Sequence, residues 1–122
     1  NIKQAQQFYK HMYDPVYSQV LTLEHIIRVQ NYLKLHNIKY FMSTYTKQVL
    51  LLRDNPNLDH LYEQIDFSCF LPCVGELEWC IENTDDDFAP DGIHPMDIQH
   101  QKFTNELMIP WIKQKYNIDI NC

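Results

Sequence analysis

Residues 16–44, VYSQVLTLEHIIRVQNYLKLHNIKYFMST, carry the pattern on which the fold reading turns. Val16, Val20, Leu23, Ile26, Ile27 and Leu33 recur at three- and four-residue steps, which on a helix makes a single wide apolar face. Gln19, Glu24, Arg28 and Lys34 fall between them. Asp14-Pro15 ahead of the run is a stop-and-start signal, and Asn37 behind it is a C-cap. The period then changes. Ile38 to Thr44 is short, apolar and rich in strand formers, and only a turn residue separates it from the helix. A long amphipathic helix, a tight turn and a buried strand together predict an αβ unit of a parallel sheet.

Working outward, the rest of the chain reads as short pieces. Residues 47–53 and 58–66 predict helical turns on either side of Asn55-Pro56-Asn57. Phe67 to Val74 is apolar but interrupted by Pro72, which predicts an edge strand or an extended loop. Glu76 to Glu82 predicts a helix carrying Leu77, Trp79, Cys80 and Ile81. Asn83 to Met96 holds Asp85-Asp86-Asp87, Pro90, Gly92 and Pro95, and predicts loop. A final helix starts at Asp97 as N-cap and carries Phe103 and Leu107 on a common face. Pro110 should kink or end it, because proline removes a backbone donor and its ring clashes with the preceding turn.

The 122 residues, 45% apolar and 21% charged, suit a single soluble domain with its own core. A net charge of −6 argues against non-specific nucleic-acid binding and against docking on anionic membranes, both of which rely on Lys and Arg. No apolar run is long enough to span a bilayer. Cys69, Cys73, Cys80 and Cys122 follow no zinc-site spacing as a set and read as buried free thiols. That usage favours a reducing compartment.

The segment with chemical content is Asp85-Asp86-Asp87-Phe88-Ala89-Pro90-Asp91-Gly92-Ile93-His94-Pro95. Asp91 and His94 are three positions apart on a loop ahead of a helix. At that spacing a carboxylate can reach the near side of an imidazole, fix its tautomer and leave Nε2 as a general base. Gly92 permits the tight turn and Pro95 stiffens the exit. The segment carries a base and its orienter, but no nucleophile. Taken without its flanks, D-x-x-H is a weak signal, and an exposed polar turn is the commoner meaning.

With its flanks, D-G-I-H-P followed by His100…Phe103…Leu107…Ile109-Pro110-Trp111-Ile112 resembles the last conserved block of the SGNH/GDSL hydrolase superfamily. The helix, turn and strand of residues 16–44 are similar to that family's penultimate αβ unit. The phrase Ile38-Lys39-Tyr40-Phe41 is similar to SGNH-like proteins of marine bacteriophages, which adds a virion to the compartments to consider. The resemblance implies a flavodoxin-like three-layer α/β sandwich with a parallel sheet. Residues 1–122 would then be the C-terminal part of the domain, its N-terminal segment absent. It further implies a serine ester hydrolase or carbohydrate O-deacetylase, with His94 as base, Asp91 as triad acid, and no cofactor or metal. The implied partners are an ester or acetylated carbohydrate substrate, and an upstream segment or another chain that completes the sheet. A non-catalytic structural or attachment module is the alternative.

The family's G-D-S block has no counterpart here. Ser18, Ser43 and Ser68 lack its context; Ser43, at a strand end, is the replacement nucleophile to consider. The chain alone is therefore expected to be inactive. Calcium binding by Asp85 to Asp87 with Asp91 lacks the spacing of an EF-hand. Metal binding by His94, Asp97 and His100 lacks a common helix face. Trp79 and Trp111 read as core or pocket rim.

Overall fold

The computed structural model describes residues 2–11, 13–47, 54–73 and 75–119. Two helices open the chain, α1 (Ile2–His11) and α2 (Pro15–Leu35). The start of α2 is fixed by Asp14, whose Oδ1 accepts from the N–H groups of Val16 at 2.8 Å and Tyr17 at 3.2 Å. Pro15 fills the first position, where a missing donor costs nothing. At the other end Asn37 takes a left-handed φ of 55°. Its N–H bonds the Lys34 carbonyl at 3.1 Å, and Ile38 N–H bonds that of Leu33 at 2.9 Å. This crossed pair is the Schellman closure, and Asn is one of the few residues that enter it without strain.

Gln19, Leu23, Ile27 and Gln30 form the buried stripe of α2. Leu23 and Ile27 pack with Leu58, Leu61, Tyr62 and Ile65 from a 3₁₀ turn (Pro56–Leu58), the one-turn helix α3 (Asp59–Tyr62) and the residues after it. The glutamines at either end of the stripe are satisfied. Gln19 Nε2 donates to the Tyr62 hydroxyl at 3.1 Å, while Gln30 spans the Gln64 carbonyl at 2.8 Å and Asp66 N–H at 2.7 Å. Lys34 Nζ reaches Asp66 at 2.8 Å and closes the same contact from its exposed side.

A second cluster joins Leu71, Cys80 and Phe103 to Phe41, Trp79, Phe88, Leu107 and Trp111. It is built on α4 (Glu76–Asn83), α6 (Ile109–Tyr116) and the turn Phe103–Met108 that joins α5 (Asp97–Lys102) to α6. Phe70 packs on the first cluster and Leu71 sits in the second. Neighbouring residues of an extended chain point opposite ways, so the clusters lie on either side of this segment.

The expectation of a flavodoxin-like α/β sandwich of the SGNH type is corrected here. The described residues are mainly helical and form no sheet, and the strand expected at 38–44 pairs with its neighbour through a single isolated parallel bridge, Met42 to Phe70. Met42 N–H bonds the Cys69 carbonyl at 2.8 Å, and Leu71 N–H bonds that of Met42 at 2.9 Å. Beyond it Pro72 removes a donor and the chain bends, so the ladder stops where it started. A lone pair of short parallel strands has too few bonds to grow without further neighbours. The αβ reading therefore holds locally, as helix, tight turn and extended chain, and fails as a sheet. The helix expected over 47–53 lies outside the described residues apart from Lys47.

Pro110 does not end the last helix. Between α5 and α6 the chain widens into a π-helical turn (Phe103–Met108), and the helix runs on to Tyr116. The wide turn moves the carbonyls of the preceding turn away from the proline ring, which relieves the clash expected in an α-helix. The Tyr116 hydroxyl then grips the extended segment, donating to the Tyr40 carbonyl and accepting from Tyr40 N–H at 3.3 Å.

Candidate functional site

The loop from Thr84 to Met96 is held at its base by a residue that the sequence did not single out. Gln99 is fully buried at the start of α5. Its Oε1 accepts from Met96 N–H at 2.8 Å, and its Nε2 donates to Thr84 Oγ1 and to the Asp86 carbonyl, each at 3.2 Å. One side chain thus ties both ends of the loop together. Lys102 adds an ion pair to Asp86 at 2.5 Å. A polar residue in the first turn of a helix usually faces water, so sequence offered no signal for Gln99 beyond its place after a loop.

Within the loop, Gly92 N–H bonds the Ala89 carbonyl at 2.7 Å and Ala89 N–H bonds the His94 carbonyl at 2.9 Å. Gly92 has φ +73°, with nothing within 4 Å of where a Cβ would stand. Its backbone, not its neighbours, demands glycine. The turn folds Asp91 back on the residues that follow it. Asp91 Oδ1 accepts from Ile93 N–H and His94 N–H, both at 3.1 Å, and Oδ2 meets His94 Nδ1. The expected pair is therefore formed. The Ile93 N–H, then the imidazole, then the His94 N–H hold the Asp91 carboxyl down at about 2, against 3.8 for an ordinary aspartate. With Nδ1 committed to the carboxylate, neutral His94 presents Nε2 as acceptor; among the described residues none hydrogen-bonds it.

Tyr45 joins this loop to the extended segment. Its ring stacks on His94, and its hydroxyl donates to the Ile93 carbonyl at 3.0 Å. Burial, followed by the charges of Glu76 and Asp91, pushes the Tyr45 hydroxyl up, so it stays a donor. The pair itself is open to solvent, with His94 59% and Asp91 47% exposed at the side chain.

The other sequence candidates are not brought to it. Ser43 is exposed and directs Oγ to the Thr44 carbonyl at 3.4 Å. Ser68 Oγ bonds Asp66 at 2.6 Å and takes Lys115 Nζ at 3.3 Å, and Ser18 lies within α2. None of the three hydrogen-bonds His94. Burial pushes the Cys80 thiol up, away from thiolate chemistry. His100 Nδ1 pairs with Glu76 at 2.6 Å, joining α5 to α4. Among the described residues no three metal-ligating side chains converge. Trp79 and Trp111 belong to the second cluster.

An open groove of about 510 Å³ runs beside Tyr45, between α2 and the extended segment. Thr22, His25, Ile26 and Val29 form its floor, and Phe41 to Tyr45 form its wall.

No family model matches the sequence, and no curated protein or solved structure matches it either. These comparisons neither support nor refute the SGNH resemblance; what the structure overturns is the α/β sandwich that the resemblance implied. The chemistry of the Asp91–His94 pair stands on its own geometry.

Proposed function

We propose that Asp91 and His94 form the general-base half of an ester-cleaving site, acting on a hydroxyl nucleophile brought by another polypeptide segment. The observation that carries this reading is the oriented pair: a carboxylate tied down by two backbone donors and bonded to Nδ1. In that arrangement Nε2 takes the proton of an attacking hydroxyl and returns it to the leaving alcohol, while Asp91 holds the imidazolium in place. The residues need no cofactor for this step.

A second reading, a non-catalytic structural module, is favoured by the openness of the pair and by Asp91 bonding only within its own turn. Hydrolysis of p-nitrophenyl acetate and of an acetylated oligosaccharide by the protein purified from its source separates the two. Loss of turnover in His94→Ala with an unchanged circular dichroism spectrum supports the base; turnover retained in that variant removes it.

A further inference from the structure

α1 and the outer face of α2 carry apolar side chains that the fold does not bury. No residue of α1 is buried. Its Ile2, Ala5, Phe8 and Tyr9 fall on one side of the helix, and Lys3, Gln7, Lys10 and His11 on the other. On α2 the stripe turned away from Leu23 and Ile27 holds Tyr17, Leu21, Arg28, Tyr32 and Leu35. Tyr17 is 62%, Tyr32 59% and Leu35 77% exposed. Between the helices Tyr9 packs against Phe8 and Tyr13, with 5.6 Å between ring centroids in each pair. Among the described residues, sixteen large apolar side chains stand exposed, and ten of them lie within residues 2–35. That concentration sets these helices apart from the scattered apolar residues of an ordinary surface.

The same part of the chain is basic. The net charge of −6 averages two unlike stretches: residues 1–53 hold seven Lys and Arg against two acids, and residues 54–122 hold three against fourteen. Of the two acids in the first stretch, Asp14 caps α2 and Glu24 pairs with Arg28. A ten-residue helix without buried contacts is below the length that holds in water, so α1 calls for a surface to lie on. Two copies joined through this face would bring like charges together. An anionic lipid surface supplies both an apolar layer and the opposite charge. Tyrosines suit that boundary, with the ring in the apolar layer and the hydroxyl in the wet one. Among the described residues no helix is long and apolar enough to cross a membrane, so α1 and α2 would lie along the bilayer surface.

We propose that α1 and the outer stripe of α2 form a docking face for an anionic membrane surface. Phe8, Tyr9, Tyr17 and Tyr32 enter the headgroup layer, and Lys10 and Arg28 lie against the lipid charges. Like charge keeps the acidic remainder, residues 54–122, on the water side. The inference is independent of any role for Asp91 and His94.

The test is co-sedimentation of the 122-residue chain with vesicles of phosphatidylcholine and phosphatidylserine in equal parts, set against vesicles of phosphatidylcholine alone. The expected result is binding to the mixed vesicles, at least about tenfold weaker on phosphatidylcholine alone and weakened by added salt. Tyr9→Glu with Tyr17→Glu places charge in the apolar layer without touching the buried stripe of α2, and should abolish binding. Lys10→Gln with Arg28→Gln should weaken it about tenfold, and decides the matter if the glutamate variant does not fold. Ile98→Glu alters an exposed apolar side chain of the acidic part and should leave binding unchanged. No binding to the mixed vesicles overturns the proposal, as does equal binding to both kinds. So does unchanged binding in the lysine–arginine variant, or a loss in Ile98→Glu as large as in the tyrosine variant. A dimer that the tyrosine variant breaks, with vesicles leaving the chain in solution, assigns the face to a second copy instead.

Discussion

The ring of Tyr45 lies over that of His94, 6.1 Å between centroids and 22° from parallel. Together with the 3.0 Å bond from its hydroxyl to the Ile93 carbonyl, this makes Tyr45 the support that the exposed end of the loop rests on. Tyr45→Phe keeps the stack and loses the bond. It should cost about 0.5–1.5 kcal/mol and speed amide exchange at Gly92 to His94. Tyr45→Ala should speed it further; equal exchange in both variants would mean that the ring contributes nothing.

Acid should loosen the molecule at two carboxylates. Asp91 is held at about 2 by Ile93 N–H, His94 and the His94 N–H, and Asp66 is held at about 2 by Lys34 and Ser68. Both lie below the ordinary 3.8, so their contribution to stability is complete above about pH 4 and is lost as pH falls toward 2. Carboxyl carbon shifts followed by NMR should give both midpoints near 2. Lys34→Met should move the Asp66 midpoint up and leave that of Asp91 alone.

Gln99→Leu preserves much of the volume and removes the three hydrogen bonds that its side chain makes at the loop base. Met96 N–H and the Asp86 carbonyl would be left without their partner, at a cost of roughly 1–3 kcal/mol by thermal or urea unfolding. A neutral substitution would show that water replaces the amide.

At Gly92 the issue is backbone alone. A methyl group has space there, yet φ +73° is unfavourable for alanine, so Gly92→Ala should cost about 1–2 kcal/mol. Gly92→Asn should cost less, since asparagine enters the left-handed region more readily. The two melts compared in parallel give the answer.

The parts legible in the sequence are those that local chemistry decides. Asp14-Pro15 and Asn37 mark the ends of α2 because capping involves only residues within a few positions. Asp91 and His94 meet because a turn of their own making brings them together. What could not be read depends on distant partners. The strand propensity of Ile38 to Thr44 is real, but a sheet needs neighbours, and this segment finds Tyr116 and one bridge instead. Gln99 is a hub only because the loop returns to it. The continuation of the last helix past Pro110 depends on a change of helical pitch that no residue type announces.

That change of pitch ties two features of the chain to each other. A π turn accommodates about one residue more than an α turn. A chain shortened by one residue between Phe103 and Met108 would recover ordinary α phase on both flanks, but would press the Pro110 ring against the carbonyl of the turn before it. Proline without the surplus residue is a clash, and the surplus residue without proline is an unrelieved bulge. Each is tolerable in the other's company, so across any lineage of this protein the two should be inherited as a pair or lost as a pair.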